Sequence, residues 1–501
     1  MKKRRIEFMF VLILLFCLYA VFFTDIDLMW KWFYIAVYGV IILVSLYSLM
    51  LENRSPQFSL LWMYVLLFVP VIGYFFYLYS GQLYLKGYLF KSKRKYDREE
   101  WKKIVKDEES PDLSFLDDHQ QAFTKFSSKV ADTKLSTKSD TFILRNGQET
   151  FTKIKEKLKE AKRYIHMEYY IFRSDRLGKE IMQILIEKAE SGVEVLFIFD
   201  AMGSMTFAGE DFEKLKKAGV QVEPFLPLKY GFFNQKFNFR NHRKIIVIDG
   251  EIGFVGGLNI GVEYLGEDPD FGFWRDTHMM MTGEAVHTLH TIFLLDWEYT
   301  RRDMVLEKYP PQFCESRELN GAVHVVASGP DTQLDIMGDL YYSLISSATK
   351  SIWIATPYFV PNESIRTALR VAAKKGIEVR IMVPEENDGF LTQYATMSYF
   401  PELLRCGVEI YSYQKGFLHQ KIVIIDGNIA SIGTANMDMR SFHLNFEVNV
   451  FLIGCNSIRD LVAHYEDDIL DSEKIGAVDF YKRGLIKRTK ESFARLFSGI
   501  L

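Results

Sequence analysis

Apolar residues are concentrated at the amino-terminal end of the chain. Three apolar runs, residues 8–23, 32–50 and 60–79, are separated by short polar segments. Because a helix of about 20 residues crosses a bilayer, the second and third runs are long enough to span it, and the first is short. We expect residues 1–80 to form a transmembrane region that crosses the membrane more than once.

The charges that flank these runs leave the topology open. The basic residues 2–5 precede the first run as in a signal peptide, but no small-x-small cleavage site follows, which favours an uncleaved anchor. A second basic cluster lies at residues 91–95. Both clusters favour the cytoplasm, yet three spans would separate them. The sequence does not decide which run fails to cross.

The pattern changes after residue 80. Residues 81–138 are charged and poor in strand signals, and they predict a juxtamembrane connector. From residue 139 onward, strand-length apolar segments alternate with helical patterns, which is typical of an α/β fold. Tyr164–Phe172 is repeated as Ser351–Phe359. We therefore predict two lobes, residues 139–320 and 321–501, related by an internal duplication.

One polar motif occurs in both predicted lobes. Each copy reads His-x-Lys-x4-Asp, with a glycine 14 and an asparagine 17 positions after the histidine. A small residue follows that glycine. The first copy contributes His242, Lys244, Asp249, Gly257 and Asn259, and the second contributes His419, Lys421, Asp426, Thr434 and Asn436. Matched long-range spacing predicts one active site built from two halves.

The residue types in this motif suit a phosphodiester. In a strand, positions two apart face the same way, so each histidine and lysine point into one cleft. The lysines neutralise phosphoryl oxygens, and Asn259 and Asn436 donate hydrogen bonds to them. Gly257 and Thr434 are further candidates for phosphate binding, and their difference removes one hydroxyl from the first half.

Two imidazoles divide the chemistry between them. One histidine attacks phosphorus and forms a phosphohistidine, and the other protonates the leaving alkoxide and then takes a proton from the incoming alcohol. The sequence does not say which one attacks. A nucleophilic histidine needs an acceptor on its other nitrogen. Asp276 and Glu447, 34 and 28 residues after the histidines of their own halves, are the candidates.

Charge and cysteine content exclude several classes of partner and of site. The net charge of −3 excludes a generally basic nucleic-acid binder, so no nucleic-acid partner is expected. The four cysteines form no C-x-x-C pair and are too few for a disulfide scaffold. No metal or cofactor is required, because the lysines carry the positive charge. Asp249 and Asp426, each in an Asp-Gly turn, are expected to hold that turn.

The duplicated motif is the signature of the phospholipase D superfamily. Longer segments, among them residues 241–250, 256–260 and 433–442, resemble the bacterial cardiolipin synthases. The resemblance implies two phospholipase D-like lobes of mixed sheets flanked by helices. It also implies a cell-membrane enzyme that converts two phosphatidylglycerol molecules into cardiolipin and glycerol. It places the catalytic residues at His242, Lys244, Asp249, His419, Lys421 and Asp426.

Two alternatives remain open at this point. The same motif would serve a membrane-anchored phospholipase D-type hydrolase, or a nuclease or phosphodiesterase of the superfamily. Residues 482–501, which mix basic and aromatic side chains, fit either a helix lying on an anionic bilayer or an ordinary surface helix.

Overall fold

The computed structural model divides the chain into two compact units. The first comprises residues 1–91 with 228–239, and the second comprises residues 92–227 with 240–501. The residues that the structure describes are 2–51, 56–69, 72–73, 77, 89–106, 111–227, 236–310, 320–332 and 335–499.

The described residues of the first unit include three apolar helices: α1 (Lys2–Phe23), α2 (Leu28–Met50) and α3 (Pro56–Phe68). Within the described residues, α2 alone is long and apolar enough to cross a membrane. Its 23 residues correspond to about 35 Å of helix. The multi-pass prediction is therefore not confirmed, and most of the third run from residue 70 onward lies outside the described residues.

The predicted connector contributes to the second unit. It forms α4 (Lys91–Lys106), α5 (Asp118–Val130) and the short strand β1 (Leu135–Ser136). Asp117 starts α5 with a capping box, because its side chain accepts a hydrogen bond from Gln120 N at 2.8 Å. Phe123 packs in the core of the second lobe.

The first lobe is built around a seven-stranded mixed sheet. Its elements are β2 (Ser139–Arg145), α6 (Asn146–Glu160), β3 (Tyr164–Tyr169), α7 (Arg176–Glu190), β4 (Glu194–Asp200), α8 (Gly209–Lys217), β5 (Gln221–Phe225), β6 (Arg240–Asn241), β7 (Ile245–Ile248), β8 (Ile252–Gly256), β9 (Phe273–Arg275), β10 (Thr277–Gly283) and α9 (Ala285–Arg301). The strand order in the sheet is β2-β10-β8-β7-β3-β4-β5. β3, β4 and β5 are parallel, and the remaining pairs are antiparallel. The four residues of β7, which follow Lys244, are buried in the sheet.

The second lobe repeats this topology. Its elements are β11 (Ala322–Ser328), α10 (Ile336–Ser347), β12 (Ser351–Ala355), β13 (Phe359–Val360), α11 (Glu363–Lys374), β14 (Glu378–Pro384), α12 (Phe390–Leu404), β15 (Glu409–Tyr413), β16 (Gly416–Leu418), β17 (Ile422–Ile425), β18 (Ile429–Gly433), β19 (Met437–Asp438), α13 (Met439–His443), β20 (Asn445–Ile453), α14 (Ile458–Leu470), β21 (Ser472–Lys474), α15 (Ala477–Tyr481) and α16 (Leu485–Arg495). Its main sheet runs β1-β11-β20-β18-β17-β12-β14-β15-β21. The stretch from β20 to β15 matches that from β10 to β5, which confirms the predicted duplication.

The two lobes exchange short strands where the motifs begin. β6, immediately before His242, pairs in parallel with the start of β20. β16, immediately before His419, pairs in parallel with β9. Each motif is therefore held at its start by the opposite lobe, and this arrangement positions the site.

Candidate active site

The two motif histidines are fixed by backbone hydrogen bonds across the lobe interface. His242 N donates to Phe446 O at 2.9 Å, and His419 N donates to Arg275 O at 2.8 Å. Only 9% of His242 and 8% of His419 is exposed. Both residues are therefore buried except for a small accessible part. The lysine of each lobe also lowers the pKa of the other lobe's histidine, which puts the two motifs at one site.

Each histidine is bonded to a carboxylate of the other lobe. His242 Nδ1 lies 2.9 Å from Glu447 Oε2, and His419 Nδ1 lies 2.7 Å from Asp276 Oδ2. The structure brings both candidate acids to the motif histidines, each to the histidine of the opposite half and not to the one from which its chain spacing was counted. The exchanged strands explain why, because β20 carries Glu447 beside the first motif. A carboxylate on Nδ1 favours the tautomer with a proton there and leaves Nε2 free to react.

Thr434 supports one of these carboxylates. Its hydroxyl donates to Glu447 Oε2 at 2.5 Å and accepts from Val448 N at 2.9 Å, and the residue is fully buried. Asn445 Nδ2 also donates to Glu447, at 3.2 Å. The predicted phosphate-binding role of Thr434 does not fit these contacts, because its hydroxyl is committed to the acid that orients His242.

Gly257 makes room for the other carboxylate. A Cβ atom at this position would lie 2.1 Å from Asp276 Oδ1, closer than any side chain tolerates. The same oxygen accepts a hydrogen bond from Thr277 N at 2.8 Å. Gly257 was also predicted to bind phosphate, and its surroundings instead give it a steric role beside Asp276. Gly257 and Thr434 thus act on the two acids in different ways: Gly257 leaves room for Asp276, and Thr434 donates a hydrogen bond to Glu447.

The two motif lysines are buried at the histidines. Lys244 Nζ donates to His242 O at 2.7 Å, and Lys421 Nζ lies 2.9 Å from His419 Nδ1. Burial lowers the pKa of Lys244 to about 7 and that of Lys421 to about 8. A phosphodiester in the cleft would favour the charged form of both ammonium groups.

The electrostatic environment keeps both imidazoles neutral. Burial lowers the pKa of His242 to about 4, and the Glu447 carboxylate opposes this shift. Burial together with the charge of Lys421 lowers the pKa of His419 to about 3. Although burial alone would raise it, the pKa of Asp276 is lowered by Lys421 and His419. Both imidazoles are therefore unprotonated, and nucleophilic, at neutral pH.

The carboxamides retain some hydrogen-bonding capacity. Asn259 Oδ1 accepts from Ile171 N at 3.2 Å, and its Nδ2 donates to Tyr264 Oη at 3.1 Å. Asn436 Oδ1 is buried without a hydrogen-bond partner in the part of the chain that the structure describes. An amide nitrogen carries two hydrogens. The phosphate-binding role of Asn259 and Asn436 therefore stays a prediction.

Asp249 and Asp426 lie away from the reacting groups. Each stands five residues beyond its motif lysine, a separation of about 16 Å along a strand. Asp249 accepts hydrogen bonds from Lys162 N, Arg163 N and Tyr164 N. Asp426 accepts from Thr349, Lys350 and Ser351 in the equivalent place. The catalytic role implied by the resemblance does not fit these contacts, which hold the turn as the sequence reasoning expected.

The middle residue of each motif fastens the lobes together. Arg243 is buried, donates to Glu447 O at 3.1 Å and pairs with Asp296. Gln420 accepts from Thr277 Oγ1 at 2.7 Å and donates to Asp468 at 2.7 Å. Sequence reasoning missed both residues, because the "x" of a motif carries no signal of burial.

An aromatic side chain packs beside each motif histidine. The Tyr170 ring centre lies 5.0 Å from that of His242, and the Trp274 ring centre lies 5.1 Å from that of His419. The repeated segment Tyr164–Phe172 includes Tyr170 but not Trp274, and it indicated neither contact. Within the described ranges, no group of three or more His, Cys, Asp or Glu side chains is placed to hold a metal ion.

Known proteins resemble this chain over its full length. The family model described as "Cardiolipin synthase, PLD-like domain" matches residues 154–297 and 341–469. A probable cardiolipin synthase of Bacillus subtilis strain 168 is 57% identical over 501 residues, which cover 100% of both chains. A cardiolipin synthase of Halalkalibacterium halodurans is 44% identical, again over 100% of both chains.

A solved structure shares the fold. The phosphatidylserine synthase of Haemophilus influenzae matches with a TM-score of 0.59 at 15% identity, over 76% of this chain and 100% of that one. The likeness extends to the two-lobed α/β architecture.

Proposed function

Because the chain belongs to the cardiolipin synthase family, we propose that His242 and His419 transfer a phosphatidyl group between two phosphatidylglycerol molecules through a phosphohistidine. The enzyme is a phosphatidyltransferase, and its products are cardiolipin and glycerol. The observation that carries the mechanism is the pair of buried imidazoles, each bonded through Nδ1 to a carboxylate of the opposite lobe.

The first half-reaction breaks the bond between phosphorus and the glycerol headgroup. Nε2 of one histidine attacks phosphorus, and a P–N bond forms as the P–O bond breaks. The other histidine gives its proton to the departing glycerol oxygen. Lys244 and Lys421 neutralise the phosphoryl oxygens while charge develops on them.

The second half-reaction reverses these events with a new alcohol. A headgroup hydroxyl of a second phosphatidylglycerol gives its proton to the histidine that lost one. Its oxygen attacks phosphorus, and the P–N bond breaks. The product carries two phosphatidyl groups on one glycerol, and the free histidine is restored.

Substrate binding favours uptake from solvent of the proton that the first step needs. In the empty site, burial holds the pKa values of His242 and His419 at about 4 and about 3, so neither imidazole is a ready acid. A phosphodiester anion beside them favours the protonated form. One imidazole then becomes the acid, while the other stays neutral and attacks.

The family and the length of α2 support membrane association. We propose further that α1 and the third apolar run make the protein multi-pass in the bacterial cell membrane. The lipid substrates are phosphatidylglycerol and other anionic lipids that diffuse in that bilayer.

Product stoichiometry tests the proposed reaction. Purified enzyme in nanodiscs containing phosphatidylglycerol should release one glycerol for each cardiolipin formed. His242→Ala and His419→Ala should each abolish both products, while His119→Ala, on α5, should leave them unchanged. Phosphatidic acid as the main product would show a hydrolase instead. Cleavage of DNA or RNA that depends on His242 would show a nuclease.

A further inference from the structure

The carboxy-terminal helix α16 presents its large apolar side chains to solvent. Leu485, Ile486, Phe493 and Leu496 are 77%, 75%, 53% and 60% exposed. At 3.6 residues per turn, these side chains fall within an arc of about 100° on one face of the helix. An ordinary surface helix turns its apolar stripe toward the core, so α16 has the reverse arrangement.

The face that α16 turns inward is small or polar. Glu491, Ala494 and Ser498 are buried, with exposures of 3%, 0% and 8%. Arg483 pairs with Glu491 at 2.7 Å, which fixes the start of the helix against its middle. The apolar stripe is therefore held facing outward by specific contacts of the opposite face.

This segment also carries a concentrated positive charge. Residues 482–499 contain six basic residues and one acid, a net charge of +5 in a chain whose net charge is −3. The basic residues are Lys482, Arg483, Lys487, Arg488, Lys490 and Arg495. Basic side chains that flank an exposed apolar stripe are typical of a helix lying in the interface of an anionic bilayer.

An arginine-rich cavity adjoins the helix. It has a volume of about 450 Å³, and its lining includes Arg370, Arg405, Arg483, Arg488 and Arg495. Glu402 and Glu491 pair with Arg370 and Arg483. Of the ion pairs that the described residues make, none involves the other three arginines. Guanidinium groups left without carboxylates suit the phosphates of lipid headgroups.

We propose that α16 lies on an anionic bilayer, with its apolar stripe among the acyl chains and the neighbouring arginines against lipid phosphates. This surface shares no residue with the histidine site, and the inference goes beyond the proposed function. It gives the second unit a membrane contact of its own. A second copy of the chain or a partner protein would cover the stripe without needing the excess positive charge.

Spin-label accessibility in nanodiscs tests the proposal on the full chain. A nitroxide is placed at Phe493→Cys, or at Gln183→Cys on exposed α7 as the control, after replacement of the four native cysteines. In discs that mix phosphatidylglycerol with phosphatidylcholine, the label at 493 should gain access to oxygen and lose access to a water-soluble nickel complex. The label at 183 should remain accessible to nickel.

Charge reversal provides the second arm. Lys487→Glu with Arg488→Glu should restore nickel access at 493, while cardiolipin synthesis in neutral detergent micelles remains unchanged. A label at 493 that stays nickel-accessible both in the mixed discs and in discs of pure phosphatidylcholine would overturn the proposal. An equal loss of nickel access in discs of pure phosphatidylcholine would show that the helix does not need anionic lipid. Self-association that Leu485→Ser abolishes would assign the stripe to a second copy.

Discussion

The Nδ1 atom of His242 lies 2.9 Å from Oε2 of Glu447, which belongs to the opposite lobe. The reciprocal pair, His419 and Asp276, is separated by 2.7 Å. Each motif histidine therefore takes its carboxylate partner from the opposite lobe. This explains why the motif occurs twice in one chain: each lobe supplies an imidazole to the site and a carboxylate to the other imidazole.

Removing the charge of either carboxylate should disable the histidine across the interface. We expect Glu447→Gln and Asp276→Asn to lower kcat by between about 100-fold and 10⁴-fold, because the imidazole loses its tautomer and orientation. NMR of histidine ring nitrogens should show a changed His242 signal in Glu447→Gln and a changed His419 signal in Asp276→Asn. A changed His419 signal in Glu447→Gln, or a changed His242 signal in Asp276→Asn, would contradict the pairing between opposite lobes.

The hydroxyl of Thr434 should matter through Glu447. Thr434→Val keeps the shape and removes the hydrogen bond to a charged acceptor, which contributes about 1.5–3 kcal/mol. We expect kcat to fall by about 10-fold, with the Michaelis constant for phosphatidylglycerol little changed. Thr434→Ser, which keeps the hydroxyl, is the matched control. A rise in the Michaelis constant alone would instead indicate phosphate binding by the threonine.

The buried lysines should steepen the loss of activity at alkaline pH. Lys244 has a pKa of about 7 in the free enzyme, and its protonated form neutralises the phosphodiester. Because kcat/KM reports groups of the free enzyme, the pKa values of about 4 for His242 and about 3 for His419 already make it fall with rising pH. Loss of the Lys244 proton should make this fall steeper above about pH 7. In Lys244→Arg the guanidinium stays charged, so the steeper fall should begin nearer the pKa of Lys421, about 8. An unchanged profile in this variant would exclude Lys244 as the titrating group.

Asp249 should contribute to stability and not to chemistry. Its φ of 54° lies in the left-handed region, which asparagine also tolerates, so Asp249→Asn changes the charge with little backbone strain. Weaker acceptance from the three backbone N–H groups should lower the free energy of unfolding by about 1–3 kcal/mol. Denaturant unfolding measures this loss, while kcat of the folded enzyme should remain close to that of the parent. A collapse of kcat at unchanged stability would restore a catalytic role.

The sequence predicts the lobes and the reacting residues better than it predicts the side chains that hold the reacting residues in place. Hydrophobic patterning and the repeat are local properties, and they are sufficient to predict two α/β lobes and to bring His242 and His419 to one site. The sequence does not predict which acid meets which histidine, because strand exchange is a long-range property and β6 and β16 are too short to produce a pattern.

Burial explains the remaining differences. Thr434 and Gly257 occupy equivalent motif positions, and only the packing around them shows that one donates to a carboxylate while the other leaves room for one. Arg243 looks like a solvated residue in the sequence, yet it is 2% exposed and paired with Asp296. Side-chain environments of this kind come from the assembled fold and not from residue spacing.

A substrate whose leaving group needs no proton can show whether one histidine attacks phosphorus while the other transfers the proton. Phosphatidyl-p-nitrophenol, labelled in the phosphatidyl group, should react in one of the variants His242→Ala and His419→Ala but not in the other. The reactive variant should release one p-nitrophenol per enzyme and retain the label on its remaining histidine, because the base for the second step is missing. Burst and label absent from both variants, or steady turnover in both, would contradict a single site with one attacking and one proton-transferring histidine.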